Sequence, residues 1–211
     1  MKRGGRAYGG KSGSERRDER RARLIAAGRA LLRRHGWART SVRAVCAETG
    51  LADRYFYESF ADRDELLAAV FDDVADDAVR AVGAALAGSR PSLRARARAA
   101  VEALFDLLDA EPGTARIVLF ETPDSPVVRR HRRAALRRFV ALIAEQGRHV
   151  DRRKVPGPVD RELTAHALIG AMQELLTAAD HGEIQVSRGR LVDHAVAIAE
   201  AAAFVRSGSN A

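Results

Sequence analysis

The sequence holds a single cysteine, so it can form neither an internal disulfide nor a cysteine-based zinc site. Aromatic residues make up only 5% of it, and runs rich in Val, Ile, Thr and Tyr are scarce, which argues against an all-β fold. No stretch reaches the ~18 uninterrupted apolar residues of a membrane span. The opening MKRGGRAYGGKSGSERRDERR lacks the apolar middle of a signal peptide. A cytoplasmic protein without a membrane partner is the expectation. Two enzyme signatures are missing as well, the Gly-x-Ser-x-Gly of a hydrolase elbow and the His-x-x-x-His of a metal-binding helix. No cofactor and no metal site is expected. What remains is a core-forming composition, 46% hydrophobic and 30% charged over 211 residues, enough for one or two domains.

Charge is distributed unevenly. Residues 1–50 carry 14 Lys/Arg against 4 Asp/Glu, whereas the rest of the chain carries 22 basic and 24 acidic side chains. A basic quarter joined to a nearly neutral remainder points to one segment that meets a polyanion and another that does not. GC-rich coding also produces arginine and alanine, and only three of the 36 basic residues are lysine, so the sequence pattern has to decide.

Helical periodicity runs through the whole chain. Residues 1–15, glycine-rich and basic, read as a flexible arm, and 207–211 as a disordered tail. Helices are expected over Arg16 to about Gly36, Ser41–Thr49, Ala52–Ser59 and Asp62 to about Ala87. Asp62 and Glu65 form a capping-box-like pair, and Pro91 stands as the first residue of a helix to about Ala110. Further helices are expected over Pro112 to about Glu121, Ser125-Pro126 to about Arg148, Asp160–Ala179 and Ser187–Val205. Nothing alternates with period two for long, so the fold class is all-α. Its domains divide at about residue 71: 16–71 as a basic helical head, 72–206 as a second helical domain.

The stretch SVRAVCAETGLADRYFYESF, residues 41–60, carries the chemistry. As a helix-turn-helix it places Gly50 at the turn, where the backbone needs a positive φ. Val42, Val45, Leu51, Phe56 and Phe60 then point inward, and Cys46 fills a close approach of helices. The second helix presents Asp53, Arg54, Tyr55, Tyr57 and Glu58, a surface suited to a major groove. Arg54 and Tyr55 are the candidates for base contacts, although Tyr55 would also fit the three-helix core.

The segment from Gly36 to Phe71 resembles the DNA-binding domain of the TetR family of bacterial transcriptional regulators. The resemblance rests on Gly36-Trp37, Thr40-Ser41-Val42, Val45-Cys46, Thr49-Gly50-Leu51, Tyr57-Glu58-Ser59-Phe60 and Arg63-Asp64-Glu65-Leu66. Ala52 departs from a usual capping serine, Asp53 from a common lysine, and Arg54-Tyr55 from a small Gly-Thr pair. The resemblance implies that Thr40, Ser41 and Arg43 touch phosphates or groove edges, that Tyr57 bonds a phosphate, and that Arg63 clamps the backbone. For the basic arm two readings stand, entry into the minor groove or a solvated tail.

The same resemblance implies a ligand-binding and dimerisation domain after residue 71, and with it a homodimer through the last two helices and a small-molecule effector. A two-fold dimer would read a near-palindromic site on double-stranded DNA, as a repressor more often than an activator. The last helix, AVAIAEAAAFV from Ala195, is apolar nearly all round, and Ala167, Gly170, Ala171 and Ala178 form a small-residue stripe on the helix before it. Candidates for an effector pocket are Phe105, Leu108, Phe120, Phe139, Ile143, His166, Met172, Gln173 and Leu176; each also fits a plain core. One motif supports a different class. Asp72, Asp73 and Asp76 have the Asp-Asp-x-x-Asp spacing of a magnesium-dependent helical enzyme acting on a diphosphate, although an acidic solvated face explains them as well. Arg129 to Arg138 forms a basic face that would suit either an anionic partner or solvent.

Overall fold

The computed structural model describes residues 12–114, 117, 125–146, 156–203 and 205. Among them the chain forms α1 (Gly13–His35), α2 (Val42–Thr49), α3 (Asp53–Tyr57), α4 (Arg63–Gly88), α5 (Leu93–Ala110), α6 (Pro126–Gln146), α7 (Pro158–Asp180) and α8 (Arg188–Ala202). A short 3-10 turn, Trp37–Arg39, follows α1, and no strand occurs among the described residues. The all-α reading agrees with this architecture.

Hydroxyl and carboxylate caps set most of the helix starts. α1 begins before the expected Arg16 because Ser12 and Glu15 close a capping box. The Glu15 N–H donates to Ser12 Oγ at 3.1 Å, and the Ser12 N–H donates to the Glu15 carboxylate at 2.5 Å. The last residues assigned to the arm are therefore helical; residues 1–11 lie outside the described residues. Ser41 caps α2 by accepting from the Ala44 N–H at 3.2 Å, and Asp62 caps α4 by accepting from the Glu65 N–H at 2.9 Å. Glu65 reaches back to the Ala61 N–H at 2.8 Å, one residue before its own cap. At α5 the expectation needs correction: Ser92 is the cap and Leu93 the first helical residue, so Pro91 stands outside. Pro126 does occupy a first position, where a missing N–H costs nothing, and α7 starts at Pro158, two residues before the expected Asp160. The helix expected over Pro112–Glu121 falls mostly outside the described residues, as do the expected end at Arg148 and the tail 207–211.

Helices α1 to α3 fold around the first half of α4. Leu24, Val45, Phe56, Leu66 and Val70 are fully buried in one cluster, with Leu31, Leu32, Cys46 and Phe60 nearly so. Each such apolar side chain contributes about 1.5–3 kcal/mol relative to exposure. Val42 and Leu51 pack on the rim of this cluster, half-buried. Gly50 takes φ 67° and ψ 16°, the left-handed turn that the spacing predicts.

The second half of α4 belongs to a bundle with α5 and α6, closed by α7 against α6 and by α8 against α5. At 26 residues α4 spans about 39 Å, so one uninterrupted helix serves both regions. Val128 and Ile117 also join the head's cluster, so the two cores meet without a linker.

Candidate nucleic-acid interface and an apolar cavity

The helix-turn-helix leaves one face of the head uncovered. Ser41 and Arg43 on α2, and Asp53, Arg54, Tyr57 and Glu58 on or beside α3, are exposed, with Tyr57 at 59%. Tyr57 rests edge-on against Phe56, ring centroids 5.4 Å apart, so a buried ring orients an exposed phenol. The Arg54 guanidinium lies over the Tyr55 ring at 4.5 Å and donates to its hydroxyl at 2.6 Å. Arg20 of α1 covers the same ring at 4.7 Å and pairs with Glu58 at 3.3 Å. Tyr55 is thus half-buried between two guanidinium groups, neither in the core nor freely presented. Arg63 opens α4 and stacks over Trp37 at 4.8 Å.

One expected contact residue is turned inward. Thr40 is fully buried and its hydroxyl donates to the Gly36 carbonyl at 2.9 Å, which holds the turn after α1 closed. Asp53 stays exposed at the start of α3, close enough to Cys46 for its carboxylate to help raise the thiol's pKa.

Many of the arginines that make the first fifty residues basic are engaged inside the protein. Arg23 donates to the Thr49 carbonyl at 2.7 Å, capping the C-terminal end of α2, and Arg34 pairs with Glu48 at 2.7 Å. Arg29 is the most enclosed: its side chain is 12% exposed and Nη1 lies 2.6 Å from both Asp73 and Asp77. Its Nη2 lies 2.7 Å from Glu111, which Arg33 also approaches at 3.4 Å. One guanidinium therefore joins α1, α4 and the end of α5. Burial works against its charge, but Asp77, Asp73 and Glu111 outweigh that and hold its pKa above the ordinary arginine value.

The aspartate-rich stretch of α4 is accounted for by the same partners. Asp73 and Asp77 face Arg29, Asp72 meets His131 Nδ1 at 2.6 Å, and Asp76 pairs with Arg138. Carboxylates already held by guanidinium groups or hydrogen-bonded to an imidazole are poor ligands for a hard cation. No metal-binding cluster occurs among the described residues. The magnesium–diphosphate reading is therefore corrected: these residues join α4 to α1 and α6.

Between α4, α5, α6, α7 and α8 lies a cavity of about 270 Å³. Val74, Ala78, Val82 and Leu86 form its α4 wall, one residue per turn. Of the expected pocket residues, Leu108, Phe139, Ile143, Met172, Gln173 and Leu176 line it. Phe105 does not; it is buried with Val101, Val192 and Val196 between α5 and α8, under the Arg188 guanidinium. His166 does not either: it is exposed and borders a shallow groove with Arg137 and Glu162. Phe120 lies outside the described residues. Arg96 and Gln146, which were not anticipated, do line the cavity. The signal for Arg96 was a charged residue within the apolar stripe Leu93, Ala97, Ala100, Leu104.

The head is thus a helix-turn-helix, the fold of a DNA-binding module, and its fourth helix continues into the wall of a helical bundle. Residues 24–70 match the model of the bacterial regulatory proteins of the tetR family, so the head is similar to the DNA-binding part of those regulators. Solved structures agree in fold. A candidate transcriptional regulator of Pseudomonas aeruginosa PAO1 superposes with a TM-score of 0.73 at 24% identity, over 88% of this chain and 91% of its own. The fatty acid degradation regulator FadR of Bacillus halodurans gives 0.71 at 16% identity, over 92% and 97%. The multidrug binding protein EbrR, complexed with imidazole, gives 0.67 at 18% identity, over 91% and 98%. No match was found among the curated proteins. No helix among the described residues is long and apolar enough to cross a membrane.

Proposed function

We propose that this protein is an effector-responsive repressor that binds a near-palindromic operator as a homodimer in the bacterial cytoplasm. The observation that carries the reading is the double membership of α4. Its first turns pack in the head core through Leu66 and Val70, and its later turns line the cavity through Val74 to Leu86. A compound that alters the cavity wall acts on the same helix that supports the DNA-reading face, so effector and operator weaken each other reciprocally.

Dimerisation finds support in what α7 and α8 leave uncovered. Ala167 and Gly170 on α7, and Ala197 and Ala201 on α8, are exposed although small and mostly apolar, and nothing lies within 4 Å of the position a Cβ on Gly170 would take. Ala171 instead lines the cavity and Ala178 is half-buried, so the stripe is split between two surfaces. The proposed division is a head to about residue 71 and an effector and dimer domain to about residue 206.

In the operator complex, Ser41, Arg43, Tyr57 and Arg63 hold phosphates, while Arg54 reaches base edges with Tyr55 as its support. Selection of sites from a random duplex library, followed by salt titration, tests this. The expected result is a near-palindrome. Tyr57→Ala weakens all sequences about tenfold, as a lost phosphate contact does, while Arg54→Ala costs about 1–3 kcal/mol and relaxes the preference at one position per half-site. Binding without enrichment, steep in salt and indifferent to both substitutions, would reduce the head to a non-specific polycation.

A further inference from the structure

The cavity is hydrocarbon along most of its length and cationic at one end. Arg96 stands in its α5 wall, half-buried among Leu93, Ala97 and Ala100. Its Nε–H and an Nη2–H both donate to Gln146 Oε1, at 2.8 and 2.6 Å, and the Gln146 amide donates in turn to the Leu142 carbonyl at 3.0 Å. Its neighbours on α5 are served differently. Arg94 pairs with Glu200 at 2.6 Å, and Arg98 pairs with Asp193 and with Glu102. Among the described residues Arg96 has no carboxylate within ion-pair distance, and a single neutral oxygen takes two of the guanidinium's five N–H bonds. A guanidinium beside hydrocarbon loses hydration that one amide oxygen does not replace, and an anion would.

A second cation marks the same end. Arg161, in the first turn of α7, also lines the cavity and donates to the Pro156 carbonyl at 2.7 Å. Gln146 is the last described residue of α6 and Arg161 lies near the start of α7, and both line the cavity. From there the α4 wall runs back from Leu86 to Val74, about 18 Å of apolar surface at 1.5 Å per residue.

We infer that the cavity takes an amphipathic anion, an unbranched hydrocarbon chain laid along α4 with its carboxylate on the Arg96 guanidinium and Arg161 beside it. The inference rests on the effector reading above and narrows it to a chemical class. The planar fork of Arg96 matches a carboxylate, and Gln146 holds that fork at the cavity wall. A neutral chain of equal length fills the same apolar space without answering the charge. A cationic chain places like charge against it.

Isothermal titration of the full chain with dodecanoate, dodecanol and dodecyltrimethylammonium, each below its micelle-forming concentration, tests the assignment. The expected order is acid, then alcohol, then cation, with the acid at least tenfold tighter than the alcohol. Arg96→Gln brings the acid-to-alcohol ratio to about one, and Arg96→Lys keeps part of it, so charge rather than folding is read out. Equal affinity of acid and alcohol would overturn the inference, as would a ratio unchanged in Arg96→Gln, or failure of all three to bind. Operator selection is done without these compounds. A selected operator with no acid binding removes this ligand class and leaves the regulator standing; acid binding without operator enrichment supports the ligand class and removes the repressor.

Discussion

Arg29→Met is expected to destabilise the protein by about 2–3 kcal/mol at neutral pH, and the loss should shrink in acid. The substitution keeps the aliphatic stem and leaves Asp73, Asp77 and Glu111 facing one another without their shared cation. Removing one member of an enclosed ion pair costs about 3–5 kcal/mol when the partners are buried. Here the carboxylates keep part of their hydration, with Asp73 44% exposed, which lowers the figure. For a chain of this size the loss corresponds to about 5–10 °C in Tm.

The pH dependence follows from Asp77. Burial alone would raise its carboxyl, but hydrogen bonds from Arg29 and Arg80 outweigh burial and hold it below the usual carboxylate range. A carboxyl depressed in the folded state contributes fully above its unfolded value, about 4, and loses that contribution as pH falls through the folded value. The wild type therefore loses stability in acid as this group protonates. In Arg29→Met the crowded carboxylates gain from protonation instead, so the two melting curves should converge as pH drops from 5 towards 3. Melting series at pH 7, 5 and 3.5 measure this, and a gap independent of pH would show that Arg29 acts through packing alone.

Gly113→Ala should cost about 3–4 kcal/mol, considerably more than the same change at Gly50. Both glycines have positive φ, 88° and 67°, where an added Cβ strains the backbone by roughly 1–2 kcal/mol. Around Gly50 nothing lies within 4 Å of that Cβ, so the strain is the whole cost. At Gly113 the Cβ would stand 2.7 Å from the Arg33 carbonyl oxygen and 3.2 Å from its Cα. Both obstacles are backbone of α1, which moves only if the segment after α5 lifts away from the head. Denaturant unfolding of the two variants side by side is the measurement. Equal losses would mean that the approach of this segment to α1 relaxes freely.

Local chemistry was legible in the sequence because its causes are local. Asp62 caps its helix as the short-range pattern predicts, and Gly50 takes the turn for want of a Cβ. The partners of the charged residues were not legible. Arg29 meets Asp73 and Glu111 across 44 and 82 residues of chain, so composition counted it toward a nucleic acid while the fold spends it on the joint with the bundle. The aspartates of α4 failed as a metal motif for the same reason: spacing shows which carboxylates share a face, not that Arg29, His131 and Arg138 stand opposite. Phe105 and Phe139 share a helical pattern and differ only in what packs over them, α8 in one case and the cavity in the other. Ser12-x-x-Glu15 could have been read and was hidden by the glycines around it.

Cys46 has a use that follows from its solitude. It is 5% exposed within the head core, and burial together with the nearby Asp53 carboxylate pushes its thiol up to about 11. At neutral pH the reactive thiolate is scarce and out of reach, so an alkylating reagent meets it only after the head has opened. With one cysteine in the whole chain, the rate of modification becomes a clock for the opening of the DNA-reading end alone, blind to fraying elsewhere in the bundle.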